Sequence, residues 1–172
     1  FESLVGVTAH EIGHTWFQFL LASNESKHPW LDEGFAEYTC TIIENSILGK
    51  ETKDPLRSSY NRYFRLALSG KEQPMSTHAD RFLYNSSYST STYSKGALVL
   101  AQLKYIIGED NFNETLKRYF KDWAFKHPTP NDFIRSAEKT SGIELEWFLT
   151  DWTQTVNTID YAVKSIETLR AI

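Results

Sequence analysis

Apolar positions recur along this chain in blocks of helical length, separated by Gly, Pro and polar turns. Residues 3–22 carry Leu4, Val5, Val7, Ile12, Trp16, Phe17, Phe19 and Leu20 on most sides of a helix. Ser3 suits its N-cap and Ser23-Asn24 its end, and apolarity all round implies a buried helix. Trp16, Phe17 and Phe19 therefore read as core rather than as a substrate pocket. A polar loop leads to Pro29, which opens a second helix over about 30–48, stopped by Gly49. A third pattern spans about 55–69, with Tyr60, Phe64, Ala67 and Leu68 on one side and Gly70 after it. Periodicity then disappears from 71 to 92, a Ser/Thr/Tyr-rich stretch that reads as a long loop, and such loops in compact domains are often functional.

Helical spacing returns over 93–107, up to Gly108. It continues over 111–126, with Asp110 as cap and Phe112, Leu116, Tyr119, Phe120 and Trp123 inward. Thr129-Pro130 is a cap followed by a first-turn proline, opening a helix to about 140 with Gly142 beyond it. A short helix near 144–152 follows. Residues 159–166 alternate Ile159, Tyr161 and Val163 against polar neighbours, as an extended segment does. The fold class is mainly α.

With 18 Lys plus Arg against 22 Asp plus Glu, the net charge is −4 over 172 residues. That balance lacks the basic footprint of a nucleic-acid binder. No apolar run approaches the roughly eighteen residues of a transmembrane span. Cys40 is the sole cysteine, so no intrachain disulfide is available, and it reads as a small buried residue. The chain opens on Phe1 and its one Met is Met75, which leads us to expect a piece of a longer polypeptide whose upstream portion is missing.

His10-Glu11-Ile12-Gly13-His14 is the pattern H-E-x-x-H. Two His four apart on a helix lie about 40° apart around its axis and one turn along it, so both imidazoles can reach one ion. Glu11 lies on the adjacent stripe, placed to bond a water rather than the metal. A catalytic zinc needs a third protein ligand and an open position. The nearby carboxylates are Glu25, Asp32, Glu33, Glu37 and Glu44, and Glu33 stands out on the first turn of the second helix, with eighteen residues between it and His14. A His-type third ligand six residues after His14 is excluded, because that position is Leu20. The second helix would pack antiparallel to the first, with Gly34 removing bulk at their approach. His28, His78 and His127 lack ligand-spaced partners and read as ordinary polar residues.

His10-Glu11-x-x-His14, the eighteen-residue gap and Trp30-Leu31-Asp32-Glu33-Gly34-Phe35-Ala36 resemble the zinc signature of the aminopeptidase-N-like family of gluzincin metallopeptidases. Thr15-Trp16-Phe17, the Tyr93-Ser94-Lys95-Gly96 segment and Trp147-Phe148-Leu149 are similar to further landmarks of that family. The resemblance implies the helical subdomain of a thermolysin-like zinc peptidase catalytic domain over 1–157, with 158–172 extended and leading to a following domain. It implies one zinc ion on His10, His14 and Glu33, with Glu11 as general base. Tyr93 would polarise the scissile carbonyl, and Tyr88 falls where some members carry an assisting tyrosine. Lys95 reads as structural or solvent-facing. The chain departs from the family at Asp32, where Asn is common, and at Cys40, where a Glu often orients a zinc His; Glu37, one helical turn beyond Glu33, could take that part instead.

The resemblance implies removal of N-terminal residues from peptide substrates. The segment by which the family grips a free amino terminus lies upstream of Phe1, so exopeptidase action is an expectation by analogy. The isolated piece is expected to hydrolyse weakly or not at all. The other readings are a catalytically silent zinc scaffold or peptide-binding module, and a zinc hydrolase acting on a non-peptide substrate. An intact Glu11 and the lack of an evident fourth ligand speak against a purely structural site.

Overall fold

Pro29, Trp30 and Leu31 start a helix that enters the core at once. The computed structural model describes residues 2–49, 54–158 and 165. In it α1 spans Glu2–Gly13, α2 Pro29–Ile47 and α3 Arg57–Ala67. A 3₁₀ turn at Ala79–Arg81 precedes α4 (Asn85–Ser89), which runs through a π-helical turn (Thr90–Lys95) directly into α5 (Gly96–Ile107). α6 (Glu109–Trp123), α7 (Pro130–Ser141) and α8 (Glu146–Leu149) follow, α8 ending in a second π turn at Thr150–Gln154. No strand occurs among the described residues, and the fold is mainly α. The segment expected to be extended, 159–166, lies apart from residue 165 outside the described residues.

The core sits where α2 and α5 are covered by α6, α7 and α8. Trp30 and Phe35 from α2, Leu98, Leu100 and Leu103 from α5, Phe112, Phe133 and Phe148 are all essentially inaccessible. Each such side chain contributes about 1.5–3 kcal/mol of transfer free energy on burial. Phe35 packs edge-on against Phe133 with centroids 4.9 Å apart and lies 4.8 Å from Phe17. Asp132 accepts hydrogen bonds from the Thr129 amide at 2.8 Å and hydroxyl at 2.7 Å, which with Pro130 fixes the start of α7. Gly142 ends α7 in the left-handed conformation at φ 73°.

Five expectations are corrected. The first helix stops at Gly13 rather than near 22, and the chain turns over residues 14–20, where Gln18 adopts φ 96°. Its outer face and the turn after it are open: Leu4, Val7, Ile12, Trp16 and Phe19 are exposed, so Trp16 and Phe19 are not core residues, whereas Phe17 is half-buried and packs against the core. Apolarity all round marks a helix that can be covered on every side, but among the described residues α2 covers only one. In α3 the buried positions are Ser59 and Leu66, with Phe64 and Leu68 exposed, because the helix packs through small residues onto the π turn. The stretch 71–92 is not a bare loop, since helix begins at Asn85; Ser87, Ser91, Thr92 and Ser94 are buried, and small polar side chains at a close helix contact leave no apolar periodicity to read. Gly108, not Asp110, is the N-cap of α6, and Asp110 sits in its first turn, where a negative charge meets the positive end of the helix dipole.

Candidate metal centre

α1 and α2 cross at Gly13, which packs against Ala36; even a Cβ at Gly13 would meet the Ala36 Cα at 3.4 Å, an ordinary contact. The crossing lays His10 and His14 beside the first turn of α2. His10 Nε2 lies 3.1 Å and His14 Nε2 3.4 Å from the same oxygen, Glu33 Oε2. Donor atoms of these three residues all fall within 4.8 Å of one another. Ligands arranged tetrahedrally at about 2.0–2.1 Å from zinc stand about 3.3–3.4 Å apart, and imidazole nitrogen and carboxylate oxygen are zinc's ordinary donors. The residues fit the ion in both spacing and chemistry.

Gly34 does not face α1, as the sequence suggested. It meets Gly96 at the start of α5, where a Cβ on Gly34 would lie 2.8 Å from the Gly96 Cα. This glycine-on-glycine seam presses the π turn against α2 and brings Tyr93 to the centre. The Tyr93 ring stacks on His10 with centroids 5.8 Å apart. Burial and the neighbouring Glu33 carboxylate hold its phenol protonated well above the usual range. Burial alone would raise the Glu33 carboxyl, but hydrogen bonding with His10 and Tyr93 and the His14 charge outweigh it and hold it below its ordinary value. Hydrogen bonding to Glu33 and Glu37 raises His10 to about 9 in the metal-free site.

The outer imidazole nitrogens are also held. His14 Nδ1 lies 2.7 Å from Asp32 Oδ1, and Asp32 is buried; a proton on Nδ1 leaves the Nε2 lone pair facing Glu33. Burial lifts the Asp32 carboxyl to about 6 against the pull of His14. Glu37 Oε2 lies 3.6 Å from His10 Nδ1. Glu11 is exposed on α1 and makes no hydrogen bond or ion pair among the described residues. Tyr88 is half-buried, edge-on to Phe82 at 5.5 Å, and shares a cavity of about 470 Å³ with Tyr93 and Glu37.

The other singled-out residues stand apart from the centre. His78 accepts the Asp80 amide, His127 Nδ1 lies 2.9 Å from the Ala22 carbonyl, and His28 precedes α2 without a capping bond. Cys40 is buried, with Sγ donating to the Gly6 carbonyl at 3.0 Å. Lys95 is structural rather than solvent-facing: its Nζ lies 2.7 Å from Glu72 Oε1, with both side chains buried. Sequence reasoning missed that pair, the part of Gly96 and the Asp32 contact. Only Asp32 had a local signal, a carboxylate beside the candidate ligand on the same helical turn.

The Peptidase family M1 domain matches residues 1–152. The chain belongs to this family. Aminopeptidase N of Streptomyces lividans is 30% identical over 163 residues, covering 90% of this chain and 19% of that protein. Glutamyl aminopeptidase of Sus scrofa is 26% identical over 186 residues, covering 99% and 18%. An M1 zinc metallopeptidase from Deinococcus radiodurans, solved with a Tyr-Ser-Ala substrate, superposes with a TM-score of 0.71 at 23% identity over 91% of this chain and 34% of its own. The fold is thus the helical part of an M1 metallopeptidase, and the chain spans about a fifth of the length of these curated relatives. Its family is one of zinc-dependent hydrolases that includes aminopeptidases.

Proposed function

We propose that residues 1–157 are the helical half of a zinc aminopeptidase catalytic domain, that 158–172 lead to a following domain, and that the complete polypeptide removes N-terminal residues from peptides. The convergence of the His10, His14 and Glu33 donor atoms within 4.8 Å carries this reading. One zinc ion per chain would be held by those three residues, supplying Lewis acidity toward water and toward a peptide carbonyl. Asp32 and Glu37 orient the two imidazoles from behind. Glu11 takes the proton of the attacking water and delivers it to the leaving amine. Tyr93, kept protonated at neutral pH, donates a hydrogen bond to the developing oxyanion, and Tyr88 assists from the shared cavity.

The test compares aminoacyl fluorogenic substrates with internally quenched, N-blocked peptides, using both this chain and a polypeptide that carries it with the remaining length of its relatives. Cleavage of unblocked substrates by the long form, with weak or no cleavage by the 172 residues alone, is the expected outcome. Glu11→Gln should abolish turnover with zinc retained, and Tyr93→Phe should lower kcat about 100- to 1,000-fold with little change in KM. Cleavage of blocked peptides at internal bonds would overturn the exopeptidase reading. Silence of a zinc-loaded long form toward both substrates would leave a scaffold.

A further inference from the structure

The cavity of about 470 Å³ beside the metal centre is bounded by α3, α4 and the π turn, with Glu37, Arg62, Asn85, Tyr88, Thr90 and Tyr93 in its lining. Its size is that of sites that take small ligands of a few residues. It is joined to the centre through two side chains: Tyr93 stacks on His10, and Glu37 faces the outer nitrogen of the same ring. A peptide whose reacting bond lies at the centre therefore has room to continue into it. The one carboxylate and the one cation of this lining are not paired with each other. Glu37 is committed to His10, whereas Arg62, the one cation of the lining, is exposed and makes no hydrogen bond or ion pair among the described residues. The remaining wall is hydroxyl, phenol and amide, which offers no apolar subsite to rank side chains by hydrophobicity. A guanidinium free in a polar cavity matches the two oxygens of a carboxylate with parallel N–H donors.

We propose that Arg62 binds a carboxylate of the peptide substrate in this cavity, either the free C-terminus of a short peptide or an acidic side chain, and so selects substrates carrying one there. The inference rests on the peptidase reading for the direction in which the peptide runs, but the binding itself is separable from turnover. The test measures binding to the chain by titration calorimetry in a Glu11→Gln background, with and without zinc. Tri-alanine as the free acid is compared with tri-alanine amide, and Ala-Glu-Ala amide with Ala-Gln-Ala amide. In at least one pair the carboxylate form should bind about tenfold tighter or more. The first pair reports the C-terminus and the second the side chain. Arg62→Gln should erase that preference while leaving the affinity of the amide form unchanged, and Arg62→Lys should restore part of it. Because Arg62 is exposed, the variants should melt with the parent protein, and the melting curves check this.

No carboxylate preference in either pair, a preference that survives Arg62→Gln, or no binding of any of the four peptides would overturn the proposal. The peptidase reading fails differently, through loss of zinc-dependent cleavage of an uncharged aminoacyl amide by the long polypeptide, and that result would leave the Arg62 preference in place.

Discussion

Replacing Gly34 by Ala puts a methyl group where the backbones of α2 and α5 meet. The new Cβ would lie 2.8 Å from the Gly96 Cα, 3.0 Å from its carbonyl carbon and 3.2 Å from the Thr92 carbonyl oxygen. Ordinary contact begins at 3.4 Å, so the two elements must part by about 0.6 Å at this point. The obstruction is backbone on the far side, so no change of rotamer relieves it. Overpacking of this kind costs about 1–3 kcal/mol, which in a domain of this size lowers Tm by roughly 2–12 °C. The chemical consequence follows from position in the chain. Glu33 precedes the glycine on α2 and Tyr93 sits three residues before Gly96, so separation along the seam carries the phenol away from the centre. A misplacement approaching 1 Å can cost about 100-fold in rate, and about 10- to 100-fold in kcat is expected in the long polypeptide. Zinc affinity should change little, because His10 and His14 are held through the Gly13–Ala36 crossing. Calorimetric melting, zinc competition against a chelator and steady-state kinetics read the three effects separately. Gly96→Ala loads the same seam, so the double variant should lose less than the sum of the single losses. A Gly34→Ala protein that melts within about 1 °C of the parent and keeps its kcat would refute the reasoning, since the minimum cost above already exceeds that shift.

Three further predictions concern the surroundings of the centre. Asp32→Asn should weaken zinc about 10-fold and Asp32→Ala up to about 100-fold in chelator competition; unchanged affinity would remove Asp32 from any part in orienting His14. With His10 at about 9 in the metal-free site, its ring is protonated at pH 7.5 and must lose that proton to ligate. Zinc uptake there should release about one proton from it, with affinity rising with pH until about 9, as calorimetry in buffers of different ionisation heat would detect. Lys95→Met leaves Glu72 buried without its partner and should cost about 3–5 kcal/mol in denaturant unfolding, much of it recovered by Lys95→Met with Glu72→Leu; a neutral single variant would contradict the pairing.

Local features were legible in the sequence and packing features were not. α6 and α7 announce themselves because each buries one stripe of apolar side chains, as Phe112 and Tyr119 do on α6, and α2 and α5 because runs of apolar residues such as Trp30-Leu31 and Leu98-Val99-Leu100 are buried on several sides. The His10–His14 pair is likewise a local matter, since four residues on one helix fix their relation whatever surrounds them. The end of α1 was hidden because Trp16 and Phe19 continue its apolar run through a turn that exposes them. The start of the helix leading to Tyr93 was hidden for the opposite reason: a contact as close as Gly34 to Gly96 requires small residues, and those carry no periodic signal. Lys95 and Glu72 lie 23 positions apart, and nothing in either neighbourhood names the other.

The zinc content of the purified chain tests the central claim most directly. Native mass spectrometry or equilibrium dialysis should find about one ion per chain, retained in Glu11→Gln and weakened at least about 100-fold in His10→Ala, His14→Ala and Glu33→Ala alike. A chain that takes up no zinc, or one whose uptake is indifferent to the loss of His14 and Glu33, would contradict the account.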